Sequence, residues 1–274
     1  MAAVSPSPVH SPKRTVSIDL SKIEEKMANT PSQDSTAEVT VFPINAHKIM
    51  AELMGTYVII FIGCGSLMIE VKYGISPVGV AVAWGLVVMV MIYALGHVSG
   101  GHFNPAITIA FAIQCKYSWR KVLGYVASQI AGSTLAILTL SVMLHGRADI
   151  KFTVTQYSGQ ATDLEGFIWE FITSFILMLT ICGVATDSRA INELSGVAVG
   201  AAMLFDIIIA GKITGASMNP ARSIGAALVA KQFECLWVYI VAPILGMITA
   251  STMYCFIWLP SSENIVDKDN AKTV

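Results

Sequence analysis

The chain has 274 residues, of which 54% are hydrophobic and 13% charged, and its formal net charge is −1. Soluble domains carry about 25% charged residues, so the composition excludes an ordinary water-soluble globule. A charge this close to zero also gives no sign of a nucleic-acid partner.

Residues 1–44 hold Ser, Thr, Pro, Glu and Lys without a sustained apolar period, the composition of a disordered tail, and contain no apolar core of a secretory signal. Within them, Arg14-Thr15-Val16-Ser17 and the Ser-Pro pairs at 5–6, 7–8 and 11–12 are candidate kinase sites, with an unmodified solvated tail as the equal alternative. From there to residue 259 the chain is apolar. Crossing a bilayer takes about 20 apolar residues per helix. Six stretches near 48–70, 78–97, 120–144, 166–185, 195–211 and 236–259 qualify. Two further runs, Ala106–Ile113 and Ala221–Ala230, are too short to span and read as re-entrant half-helices. A short polar tail follows at 260–274. The expected fold is therefore an all-α membrane protein, with six transmembrane helices and two half-helices in a channel domain over 45–259.

Six spans place both tails on one side, and an untranslocated polar N-terminal tail suggests that this side is the cytosol. The basic cluster Lys116, Arg120 and Lys121 agrees. The full count does not decide it. Lys48, Lys116, Arg120, Lys121 and Arg189 oppose Lys72, Arg147, Lys151, Lys212 and Lys231. The five cysteines form no Cys-x-x-Cys pair and read as isolated packing thiols.

The two halves, about 45–145 and 163–259, repeat. Gly96-His97-Val98-Ser99-Gly100-Gly101-His102-Phe103-Asn104-Pro105-Ala106 returns 115 residues later as Gly211-Lys212-Ile213-Thr214-Gly215-Ala216-Ser217-Met218-Asn219-Pro220-Ala221. Ala51-Glu52 corresponds to Trp169-Glu170, and Gly124-Tyr125 through Gly132 to Val238-Tyr239 through Gly246. Three spans per half is an odd number, so the halves enter the membrane from opposite sides, related by a pseudo-two-fold axis in its plane. The half-helices then dip in from opposite faces and meet near the midplane. Small residues (Gly85, Gly132, Gly200 and Gly246 among them) allow close helix approach.

Proline suits the first turn of a helix and Asn its N-cap. Asn104 and Asn219 are thus candidate caps, with Pro105 and Pro220 in the first turns. A capping Asn accepts through its oxygen, which leaves two amide N–H donors for the pore. Each half-helix N-terminus carries roughly half a positive charge, and two facing each other disfavour cations and protons. Arg222, three residues after Asn219, is costly at membrane depth and belongs beside a water-filled route, where its fork of donors can meet a solute's oxygens. A structural ion pair with Asp206 is the bland alternative.

Asn-Pro-Ala-Ile at 104–107 and Asn-Pro-Ala-Arg-Ser at 219–223 resemble the signatures of the major intrinsic proteins, the aquaporin and glycerol-facilitator superfamily. The resemblance covers about 47–259 and is strongest to the plant nodulin-26-like proteins, also through Cys182-Gly183-Val184-Ala185-Thr186-Asp187. It implies a homotetramer, surrounded by membrane lipid, with one pore per protomer. It also implies an aromatic/arginine constriction, which counting from the motifs assigns to Trp84, Ile207, Ala216 and Arg222. Strictly water-selective relatives resemble one another in having Phe, His, a small polar residue and Arg there. Ile207 and Ala216 remove polar partners for water, and Trp84 adds an apolar wall. That set resembles the subgroup linked to glycerol, some water and undissociated metalloid acids such as arsenite.

Three residues depart from the pattern. Ser223 stands where bacterial glycerol facilitators usually carry Asp. Asp206 stands where relatives tend to have a neutral amide, and it needs a partner, with Arg222 or Lys212 in reach. Lys212 is itself unexpected. Glu52 and Glu170 are expected to accept hydrogen bonds from the motif loops, and His97 to brace its loop rather than sense pH. His97 and His102 lack a zinc-binding His-Glu-x-x-His helix, and no phosphate-binding glycine loop occurs, so neither metal, cofactor nor catalytic residue is expected. The expected function is passive passage of small uncharged solutes and water. The alternatives are a strictly water-selective pore and an anion-conducting channel. By resemblance alone the plasma membrane is the expected site, with the endoplasmic reticulum second.

Overall fold

The structure, a computed structural model, describes residues 44–144, 149–157 and 161–257. The two tails, with their expected disorder and candidate kinase sites, and Arg147 lie outside the described residues. Among the described residues, eight α-helices follow in chain order: α1 Ile44–Tyr73, α2 Pro77–Ser99, α3 Pro105–Ile113, α4 Trp119–Met143, α5 Asp163–Ile181, α6 Ser195–Ala210, α7 Pro220–Ala230 and α8 Leu236–Ile257. Six of them, all but α3 and α7, are long and apolar enough to cross a membrane. The boundaries have local causes. Ser76 caps α2 through Gly79 N, with Pro77 in the first turn. Thr162 and Glu165 form a reciprocal capping box that starts α5 three residues ahead of its expected apolar run. The same helix ends in a π-helical turn, Cys182–Thr186.

Packing repeats the sequence symmetry. α1 lies against α4 as α5 lies against α8, while α2 and α6, one from each half, pack on each other. The half-helices cross over, α3 resting mainly on α8 and α7 mainly on α4. Close approach depends on glycine where helices α2 and α6 meet. A Cβ on Gly85 would fall 2.6 Å from the Gly200 carbonyl oxygen, and one on Gly200 equally close to that of Gly85. With six crossings, Ile44 and Ile257 share one face, here called proximal; Tyr73, Pro77 and Gly211 belong to the distal face.

Candidate functional site

The two loops ahead of the half-helices turn through left-handed backbone at matching positions. Gly101 (φ 63°) and Phe103 (φ 49°) in the first match Ala216 (φ 42°) and Met218 (φ 52°) in the second. Such conformations cost non-glycine residues about 1–3 kcal/mol each and persist only where the surroundings impose them. A buried carboxylate does so in each half. Glu52 accepts from Ser99 Oγ (2.6 Å), His102 N (3.0 Å), Phe103 N (2.6 Å) and Gln129 Nε2 (2.8 Å). Glu170 accepts from Thr214 Oγ1 (2.7 Å), Ser217 N (2.9 Å) and Met218 N (2.8 Å). Tyr125 and Tyr239 hydroxyls donate to Ser99 O and Thr214 O, each at 2.7 Å. The glutamates therefore hold the loops, as expected. The histidine that braces is His102, not His97. Its Nδ1 lies 3.1 Å from Thr108 Oγ1 and its ring sits among Phe111, Tyr117 and Tyr125, whereas His97 is exposed.

Both half-helices carry the expected caps. Asn104 Oδ1 accepts from Ala106 N and Asn219 Oδ1 from Ala221 N, each at 2.9 Å, with Pro105 and Pro220 in the first turns. The expectation of two free amide donors is corrected. Asn104 Nδ2 donates to Met218 O (2.7 Å) and Asn219 Nδ2 to Phe103 O (2.9 Å). Each cap thereby clasps the opposite loop, and one N–H per amide remains. The left-handed turn at Phe103 and Met218 is what presents those carbonyls.

Two cavities lie along the channel, and the proximal one reaches this clasp. The proximal one, ≈ 290 Å³, reaches Asn104 and Asn219 and opens past Lys116 and Thr186. The distal one, ≈ 260 Å³, is bounded by Trp84, Ile207, Gly215 and Arg222. Trp84 lines both, so its indole stands at their junction. Arg222 is 4% exposed, and its guanidinium carbon lies 5.3 Å from the Trp84 ring centroid, within cation–π range. Its Nη1 is buried without a hydrogen-bond partner among the described residues. Thus Trp84, Ile207 and Arg222 line one cavity, whereas Ala216 is buried beside Gly215 and lines neither. A family model of the major intrinsic proteins matches residues 40–254.

The chain belongs to the major intrinsic protein family. Aquaporin NIP1-1 of Oryza sativa subsp. japonica is 51% identical over 209 residues, 76% of this chain and 72% of the relative. Nodulin-26 of Glycine max is 47% identical over 76% of each chain. Among solved structures, the aquaglyceroporin from Plasmodium falciparum aligns with a TM-score of 0.72 at 25% identity, over 77% of this chain and 95% of that one. This major intrinsic protein is a multi-pass membrane channel for water and small solutes, not an enzyme.

The expected partner of Asp206 in this major intrinsic protein is absent. Asp206 is fully buried, both carboxyl oxygens lack a hydrogen bond, and neither Arg222 nor Lys212 pairs with it among the described residues. Residue 206 is buried on α6 beside Ile207, whereas Lys212 lies past the end of that helix and is exposed. A buried polar group without a partner costs about 1–3 kcal/mol, and an apolar group of like shape removes that cost. Asp206→Leu is therefore expected to raise the melting temperature of the detergent-solubilised channel by about 2–4 °C per kcal/mol recovered. A lower melting temperature would show that the carboxyl is held after all.

Ser223 is tied to Thr155 Oγ1 (2.8 Å) and Ser217 Oγ (2.6 Å), which anchors the second loop to the segment between the halves. Sequence reasoning missed the proximal rim. There Lys116 Nζ donates to Thr186 Oγ1 (3.0 Å), Gln114 Nε2 to Thr252 Oγ1 (3.0 Å) and Tyr254 OH to Asp187 Oδ2 (2.8 Å). Bonds from the Arg189 side chain and backbone hold the Asp187 carboxyl well below the usual carboxylate range. A lowered carboxylate stabilises the fold above its ordinary value and loses that effect only as pH falls through the lowered one. This rim tie therefore persists through mildly acid pH. The only advance sign of it was the Thr186-Asp187 pair within the quoted family stretch.

Proposed function

We propose that the channel passes neutral polyols such as glycerol, undissociated metalloid acids such as arsenite, and some water. Asn104, Pro105, Ala106, Asn219, Pro220 and Ala221 form its central clasp, and Trp84, Ile207, Ala216 and Arg222 its selectivity constriction. The observation that carries this reading is the distal cavity, where an apolar wall of Trp84 and Ile207 faces a buried guanidinium with a free donor. A carbon skeleton lies along the wall while hydroxyl oxygens accept from Arg222. Cations meet Arg222 and two positive half-helix ends. The structural relative's description as an aquaglyceroporin supports the same solute class. The channel assembles as a homotetramer with one pore per protomer and resides in the plasma membrane, the endoplasmic reticulum being the second choice.

The test is light scattering of liposomes under a glycerol gradient, comparing the parent with the double variant Trp84→His, Ile207→His. Glycerol entry is expected in the parent and about tenfold or more slower in the variant, the scale on which pocket shape discriminates small solutes. A parent that passes water but no glycerol above empty liposomes overturns the polyol reading in favour of a water-selective pore. A conductance carried by anions would overturn it in favour of an anion channel.

A further inference from the structure

The distal cavity carries more charge than Arg222. Its wall also includes Glu70, from the last turn of α1, and Lys212, just past the end of α6. Glu70 Oε2 is buried and, like Arg222 Nη1, has no hydrogen-bond partner among the described residues. Among the described residues no ion pair joins Glu70 to Lys212 or to Arg222. The other nearby cation, Lys72, lies 5.1 Å from the Tyr73 ring centroid on its own helix. The cavity thus presents one carboxylate acceptor and two cationic donors, held apart on an otherwise apolar lining that includes Trp84, Ile207 and Val80.

That arrangement selects by chemistry. A simple anion is drawn by Lys212 and Arg222 but repelled by Glu70, and a simple cation meets the reverse. A small neutral molecule with adjacent hydroxyls carries donors and acceptors on one skeleton and satisfies both signs at once. Its O–H groups donate to Glu70, its oxygens accept from Lys212 and Arg222, and its C–H edge covers the indole. Hydrogen bonds to charged groups are the stronger kind, and a solute that leaves Glu70 Oε2 unpaired forgoes one of them.

We infer that Glu70 and Lys212 form a recognition site at the distal mouth, where a neutral solute with adjacent hydroxyls docks before entering the constriction, with Glu70 as the specificity-determining acceptor. The inference rests on the polyol reading above and adds residues outside the constriction. A docking site makes the glycerol flux saturable, with a half-saturating concentration set by Glu70.

The experiment measures initial glycerol entry into liposomes across a range of glycerol concentrations, with water flux under a sucrose gradient recorded on the same preparations. The parent is compared with Glu70→Leu, Glu70→Gln and Lys212→Met. Glu70→Leu is expected to raise the half-saturating glycerol concentration about tenfold, the effect of one lost hydrogen bond to a charged group. Glu70→Gln, which keeps an acceptor oxygen, and Lys212→Met shift it less, and water flux stays within about twofold of the parent, as befits a group outside the constriction. A parent-like glycerol curve in Glu70→Leu overturns the inference and leaves the polyol reading intact. So does an equal loss of glycerol and water flux, which marks Glu70 as a structural prop of the mouth. A parent that passes no glycerol overturns both.

Discussion

Glu52→Leu is expected to abolish the folded channel. The carboxylate accepts from Ser99 Oγ, His102 N, Phe103 N and Gln129 Nε2, and it is fully buried. Leucine is close in volume and cannot accept, so Ser99 Oγ, His102 N and Phe103 N lose this acceptor at once, and Gln129 Nε2 keeps only its bond to Thr108 Oγ1. At about 1–3 kcal/mol for each unsatisfied group, the loss is comparable to the whole stability of an ordinary domain, about 5–15 kcal/mol. The left-handed turn at Phe103 also loses the bonds that impose it, and with it goes the carbonyl that Asn219 clasps. Gel filtration in detergent is expected to show aggregate in place of a single peak. Glu52→Gln keeps one acceptor oxygen but turns an NH₂ toward donors, and an intermediate loss is expected. Glu170→Leu should behave like Glu52→Leu, because the same bonds recur around Thr214, Ser217 and Met218. A Glu52→Leu protein that elutes as the parent does and conducts normally would remove the carboxylate from the account of how the loops are held.

The second large effect concerns solute choice and arises one helix away from the constriction. Gly63 on α1 is the bed on which the Trp84 indole lies, and any Cβ at 63 would overlap the fused ring. The ring cannot simply retreat, because the Arg222 guanidinium lies 5.3 Å from its centroid. Gly63→Val is therefore expected to push the indole into the junction of the two cavities. Glycerol entry should fall about tenfold or more, as misplacement by an ångström does in other tightly fitted sites, and water flux should fall less. Stopped-flow measurement of both solutes on one preparation checks this. Equal rates for parent and variant would mean that Trp84 finds another rotamer without narrowing the path.

Much of this architecture was legible from residue order. The six spans were recognisable because a membrane core demands long apolar runs, and the half-helices because two runs were too short after paired Asn-Pro-Ala motifs. Repeat arithmetic also lined up Tyr125 with Tyr239 and Glu52 with Glu170. Their shared task as loop braces became visible only once each hydroxyl was seen to reach a loop carbonyl. α5 starts ahead of its apolar run because the Thr162–Glu165 capping box, not the apolar period, sets its first turn.

The errors share a cause. Asn104 and Asn219 have their amides partly engaged because the opposite loop, 114 and 116 residues away in sequence, brings a carbonyl within reach. Asp206 lacks its expected partner because position along a helix does not state which way a side chain points. His102 rather than His97 braces the loop because His97 falls in the last turn of α2 and is exposed, while His102 lies on the loop itself with a buried ring.

What sequence alone determined here is what depends on composition, length and local caps: the membrane class, the number of crossings, the inverted repeat and the identity of the capping residues. Tertiary structure decided what depends on contact between different helices and loops: the crossed Asn clasp between the halves, the Trp84 indole bedded on Gly63 within the first half, and Glu70 facing the same cavity as Arg222. Each pair joins elements that residue order alone does not bring into contact. Only the folded packing of small residues and the buried hydrogen bonds that resist being broken bring them together.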